Sequence, residues 1–152
     1  MEKTNYKKFG LMMLVSFIMM YAIMFLNVFQ LDHVKLSTTR TYMTLLMVAP
    51  MAISMLLFMW KMYKNTKTNY AIIGISVLVF CVSLYGLRTQ TPIGDVQWMK
   101  AMIPHHSSAI LTSSNAHFED AEVQQLANDI IAAQEKEIAE MKAMIKRLED
   151  EK

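Results

Sequence analysis

Three runs without a charged residue limit what this chain can fold into: Phe9 to Leu31, Tyr42 to Trp60 and Tyr70 to Leu87. The first is 23 residues long and, as a helix, would reach about 35 Å. A bilayer core is about 30 Å thick, so that length spans it. The other two sit near the lower end of spanning length. Tyr42, Trp60, Tyr63 and Tyr70 stand near run ends, where aromatic rings settle at the membrane–water boundary. Lys3, Lys7 and Lys8 also fit the basic start of a secretory signal. The run that follows is too long for one, and no small-residue cleavage site comes after it. The expectation is an all-α chain in two parts. Residues 1–90 form a membrane domain with three transmembrane helices, at about 9–31, 42–60 and 70–87. Residues 91–152 form a two-helix hairpin.

Charge divides the chain in the same place. Residues 1–94 hold nine Lys/Arg against two acids, a net +7, whereas residues 95–152 hold six against eleven, a net −5. The N-terminus has Lys3, Lys7 and Lys8, and the second loop has Lys61, Lys64 and Lys67. Basic flanks stay in the cytoplasm. This predicts a multi-pass protein with its N-terminus cytoplasmic and its C-terminal domain extracytoplasmic. The acidic C-terminal part argues against nucleic acid as a partner. Cys81 is the single cysteine, so neither an intramolecular disulfide nor a cysteine-based zinc site can form.

Thr91-Pro92-Ile93-Gly94 is turn chemistry, with Asp95 as an N-cap and a helix from Val96 to about Ser114. Asp120 caps a second helix that runs to about Glu149. Within the first lies Trp98-Met99-Lys100-Ala101-Met102-Ile103-Pro104-His105-His106. Met99, Met102 and His106 share a face, because residues three and four apart are neighbours on a helix. Soft thioether and borderline imidazole suit copper better than calcium or magnesium. The plain alternative is that the methionines pack a core. Pro104 either kinks the helix ahead of the histidines or starts it.

The second helix carries a seam of Val123, Ala127, Ile130, Gln134, Glu137, Met141, Met144 and Leu148, spaced alternately four and three. A second stripe, Ile131, Ile138 and Ile145, widens it. Glu137 in a seam is costly unless paired or metal-bound, or else it sits at the rim. Antiparallel packing would set Gln134 and Glu137 opposite the His pair, and bundles build metal sites from such inward side chains. Asp32-His33, beyond the first run, is a weaker metal candidate. Met43, Met47, Met51, Met55 and Met59 recur every four residues and read as helix-packing side chains rather than an ion path. A hairpin this small buries little core. Two copies pairing as a four-helix bundle, or docking on the membrane helices, would remedy that.

Met102-Ile103-Pro104-His105-His106 with Ala109-Ile110 resembles the family known as domain of unknown function 305. So do Leu126-Ala127, Ile130-Ile131, Ala133-Gln134, Glu137-Ile138 and Met141. The resemblance spans about Asp95 to Leu148. It implies a ferritin-like four-helix arrangement, outside the cytoplasm at a bacterial inner membrane, reached here by homodimerisation. It also implies copper binding and tolerance, with Met102, His105, His106, Gln134, Glu137 and Met141 as the polar cluster. Met99 joins them from its place on the helix face. Thr112 stands where members often carry Met.

The expected function is therefore a membrane-anchored, extracytoplasmic metal-binding protein that sequesters or delivers copper. Cu(I) is favoured over zinc or iron, and copper-handling proteins are possible partners alongside the lipid bilayer. The alternative is a structural or assembly membrane protein whose hairpin binds a partner helix. An enzyme with a carboxylate-bridged metal pair ranks last, because no Glu-x-x-His occurs. The chain is not expected to be an enzyme.

Overall fold

The computed structural model describes residues 2–151, and for residues 2–4 the backbone only. The Lys3 side chain, used above for orientation, lies outside the described residues. The described residues are all helical, with no strand. They form α1 (Glu2–Ile23), a 3-10 turn (Leu31–His33), α2 (Thr38–Phe58), α3 (Thr66–Thr89), α4 (Asp95–Asn115) and α5 (Ala121–Asp150). The chain divides into two compact units. One is Met1–Ile23 with Thr39–Pro92; the other is Met24–Thr38 with Ile93–Lys152.

The first unit holds three helices long and apolar enough to cross a membrane, over Asn5–Ile23, Thr38–Phe58 and Thr66–Thr89. Their outward faces carry Leu11, Leu14 and Ile18 on α1 and Ile75, Leu78 and Val82 on α3, each more than half exposed. Helices that satisfy their own backbone and display apolar side chains are what a lipid solvent permits. Phe9, Ala52, Leu56 and Tyr63 form the core of this unit. The Tyr63 ring lies 5.2 Å from that of Tyr6 and 5.6 Å from that of Phe9, centroid to centroid. Tyr6 donates to Asn69 Oδ1 at 2.8 Å, and Asn69 Nδ2 donates to the Tyr63 carbonyl at 2.7 Å. The α2–α3 loop is thereby pinned beside the start of α1. Asn65 caps α3, its side chain accepting from Thr68 N at 3.1 Å. At the other end of α3, Gly86 permits a close approach: a Cβ there would meet Tyr42 Cζ at 2.8 Å.

The first apolar run reaches Leu31, but α1 stops at Ile23. The expected 9–31 span is corrected at that end. Residues 24–38 belong to the second unit. Apolarity alone cannot separate side chains that face lipid from side chains that face a helix. In this segment Asn27 Nδ2 donates to Ser108 Oγ at 3.0 Å and Phe29 N to Ser107 Oγ at 2.7 Å. These two bonds to α4 give the Asn27 side chain and the Phe29 amide partners outside a helix.

In that second unit α4 and α5 pack along one another. Met99, Ile103 and Ile110 face Ile138, Met141 and Ile145, with Val96, Met102, Ile131 and Leu148 around them. The helices run antiparallel, since Lys100 Nζ meets Glu149 Oε1 at 2.6 Å while His106 meets Glu137. Asp120 caps α5, accepting from Glu122 N at 2.8 Å and Val123 N at 3.0 Å. Asp95 is not the α4 cap. Gly94 takes that position, without a side-chain bond, and Asp95 contributes its charge to the first turn. Pro104 lies inside α4 rather than at its start. Having no N–H, it leaves the Lys100 carbonyl without its usual intrahelical donor.

The seam of α5 also differs from expectation. Ala127, Ile138, Met141 and Ile145 are buried, whereas Val123, Glu137 and Met144 are exposed. The inner row runs 127, 131, 134, 138, 141, 145 and 148, still spaced four and three. It rotates the Ile stripe inward and turns Glu137 to the rim. Burying Ile138 in place of a carboxylate gains apolar contact and avoids the cost of desolvating a charge.

Candidate metal centre

The expected site residues separate into three groups. Met99 and Met141 are buried in the apolar core between α4 and α5, and Met102 packs against it. Met99 and Met141 pack among Ile103, Ile138 and Ile145, while Met102 is only partly buried at the edge of that core. His105 is exposed, its ring centroid 6.1 Å from that of His106, and Gln134 is half-buried on the inner row. His106 and Glu137 come together: Nε2 of His106 lies 2.8 Å from Oε2 of Glu137.

The other ring nitrogen fixes the chemistry of this pair. His106 Nδ1 is 2.9 Å from the carbonyl of Met102, one turn back on α4. A carbonyl only accepts, so Nδ1 carries a proton and donates it. Nε2 is thereby aimed at the carboxylate, with either a proton or a cation between them. An imidazole whose second nitrogen donates to a backbone carbonyl is the usual arrangement of a metal-ligating histidine. The 2.8 Å separation is that of a charge-assisted hydrogen bond between the ring and the carboxylate. Among the described residues, no three His, Cys, Asp or Glu side chains gather into a metal-binding group.

A second polar cluster lies on the same unit. His33 is 4% exposed, and its Nδ1 is 2.8 Å from Ser107 Oγ, which is itself fully buried. Asp32 Oδ1 is 3.6 Å from His33 Nε2, and Asp32 also pairs with Lys142 of α5. Asp, His and Ser thus adjoin, with Ser107 sealed from solvent and accepting from Phe29 N. The cluster fastens residues 24–38 to α4 and α5. Ser107 was recognisable as unusual from its place in the apolar row Met99, Ile103, Ile110. Its partner His33 lies 74 residues away and carries no local signal.

Charge in this cluster is tuned. The hydrogen bond from Lys142 holds the Asp32 carboxyl below its usual range, against a smaller opposing effect of burial. Burial pushes the His33 imidazole down, with Lys142 adding to the shift and Asp32 opposing it. A folded state that resists protonating His33 loses stability as pH falls below 6.5, the ordinary value, where the unfolded chain takes up the proton. The loss continues until the folded pKa is passed. We expect thermal stability to fall as the pH is lowered through 6.5, the ordinary imidazole value, and His33→Asn to flatten that slope. An identical slope in the variant would remove His33 from the account.

The comparisons with known proteins bear on the same helices. A family model described as a domain of unknown function (DUF305) matches residues 86–152. An uncharacterized protein of Acanthamoeba polyphaga mimivirus is 37% identical over 138 residues, covering 89% of each chain. No solved structure matches. With a domain match over α4 and α5 and a relative aligned along most of its length, the chain belongs to the DUF305 family.

Proposed function

We propose that this is a membrane-anchored metal-binding protein that holds copper at the His106–Glu137 pair, outside the cytoplasm, for sequestration, delivery or tolerance. The observation that carries the reading is the His106 geometry: Nδ1 anchored on the Met102 carbonyl and Nε2 2.8 Å from Glu137 Oε2. An imidazole and a carboxylate suit a divalent ion, and a thioether such as that of Met102 would extend the affinity to Cu(I). Two donors are half of a four-coordinate site. A second copy of the chain, pairing α4 and α5 into a four-helix bundle, would supply the rest. The exposed Val123, Leu126 and Met144 of α5 are the apolar side chains such pairing would cover.

The placement rests on two features. Lysines flank α1 and the α2–α3 loop, as cytoplasmic flanks do. Residues 24–38 bond to α4, and with α2 and α3 as two crossings between them this supports both lying on one side of a bilayer. The test is copper titration of the full chain purified without chelators. The His106→Ala variant is expected to lose at least about tenfold in affinity, and Glu137→Ala comparably. Unchanged affinity in His106→Ala would sink the reading. A second reading, a membrane assembly protein that docks a partner helix, draws on the same exposed Leu126. Copper-free protein whose partner is lost in Leu126→Lys would favour it.

A further inference from the structure

The membrane unit contains a feature that copper binding does not use. Lys7, Lys8, Lys61, Lys64 and Lys67 are all exposed, and Tyr63 ties the stretches that carry them together. Tyr63 sits between Lys61 and Lys64, buried against Tyr6 and Phe9 of α1. Tyr6 in turn bonds to Asn69, two residues past Lys67. Five ammonium groups therefore share one end of the unit. None of the five forms an ion pair with a carboxylate among the described residues. Glu2 is the one acid in the sequence of this unit.

Beneath that end lies a cavity of about 230 Å³ walled by all three spanning helices. Phe9 and Met13 come from α1, Ala49 and Ala52 from α2, Ile72 and Ser76 from α3. Its lining is apolar apart from Ser76. Phe9 belongs both to this wall and to the Tyr63 cluster that holds the lysine loop. Ile72 is five residues beyond Lys67, about 8 Å along the helix. A cationic rim and an apolar slot thus lie within reach of one molecule.

We propose that this end of the membrane unit is a binding site for an anionic phospholipid, its headgroup phosphate on the lysines and part of one acyl chain in the cavity. Charge complementarity selects the headgroup. Each lysine near an anionic leaflet contributes attraction of its own, and among the described residues no carboxylate pairs with these lysines. The apolar lining selects the chain, because a hydrocarbon fills such a space without leaving a polar group unpaired. The small side chains of Ala49 and Ala52 leave the slot open.

The experiment uses the full chain in detergent, exchanged against equimolar phosphatidylglycerol and phosphatidylcholine, with retained lipid quantified after washing. Phosphatidylglycerol is expected to be enriched about tenfold. The triple variant Lys61→Gln, Lys64→Gln, Lys67→Gln is expected to fall towards parity. Wild-type protein in about 1 M salt should do the same, because the screening length there is about 3 Å. That arm needs no variant to fold. Ala52→Phe, which fills the slot, is expected to retain less phosphatidylglycerol with every lysine in place. Equal retention of the two lipids by the wild type would overturn the site. So would a preference that survives both the triple variant and high salt. Undiminished retention by Ala52→Phe would overturn the acyl-chain slot.

Discussion

Ile103→Ala is expected to cost about 2–5 kcal/mol of stability in the unit built from α4 and α5. Ile103 is fully buried, in the middle of the cluster that joins α4 to Ile138, Met141 and Ile145. Truncation removes apolar surface and leaves a hole that helices held by Met99 and Ile110 on either side can only partly close. A unit this small has little stability to spare, so the loss is a large fraction of the whole. Denaturant unfolding in detergent measures it, and amide exchange places it. Amides of α4 and α5 should lose protection. Leu126→Ala, at a side chain 59% exposed, should stay within about 0.5 kcal/mol. Equal effects of the two substitutions would mean that the Ile103 cluster is not the core.

Ser107→Ala should cost about 1–3 kcal/mol through a different mechanism. The hydroxyl accepts from Phe29 N at 2.7 Å and faces His33 Nδ1 at 2.8 Å. Removing it leaves the buried His33 ring nitrogen and the part-buried Phe29 amide without this partner. The penalty for an unmet buried group exceeds the net gain of an ordinary hydrogen bond. The readout is the Phe29 amide, whose exchange should accelerate ahead of the α4 interior. Ser108→Ala is the control. Its hydroxyl meets Asn27 in an exposed position, where solvent replaces the bond. A Phe29 amide that remains protected in Ser107→Ala would show that the segment is held by packing alone.

The helices were legible because their signals are local. Uncharged runs, the Asp120 cap and the four-three spacing each act within a few residues. Three readings failed for physical reasons. The run to Leu31 is as apolar as a span, yet its last part leaves the helix and is tied to α4 by polar bonds from Asn27 and Phe29. Asp95 has the chemistry of a cap, but Gly94 before it takes the cap geometry. Glu137 fits either phase of the α5 repeat, and the Ile stripe, with more apolar surface to bury, decides which faces inward. The metal candidates show the same division. His106 and Glu137 meet because antiparallel packing sets their turns opposite, and that followed from helix lengths. Met99 and Met141 could serve either a core or an ion by spacing alone, and packing assigns them to the core. The tie between His33 and Ser107 links positions 74 apart. It also falls partly outside the matched residues 86–152.

The split make-up of the second unit has a consequence for biosynthesis. Asp32 and its partner Lys142 are 110 positions apart, with α2 and α3 between them. A ribosome adding about 5–20 residues per second needs roughly 5–20 s to travel that distance. For most of that interval Phe29 and His33 have been made while Ser107 of α4, which meets both, has not. α4 and α5 can pair as soon as both are made, because their contacts are near in sequence. The strap from residues 24–38 can meet α4 through Ser107 and Ser108, and completes its tie to α5 only once Lys142 is made. A nascent chain halted before α4 would carry the Phe29 amide and the His33 ring without the Ser107 hydroxyl that meets them in the folded unit.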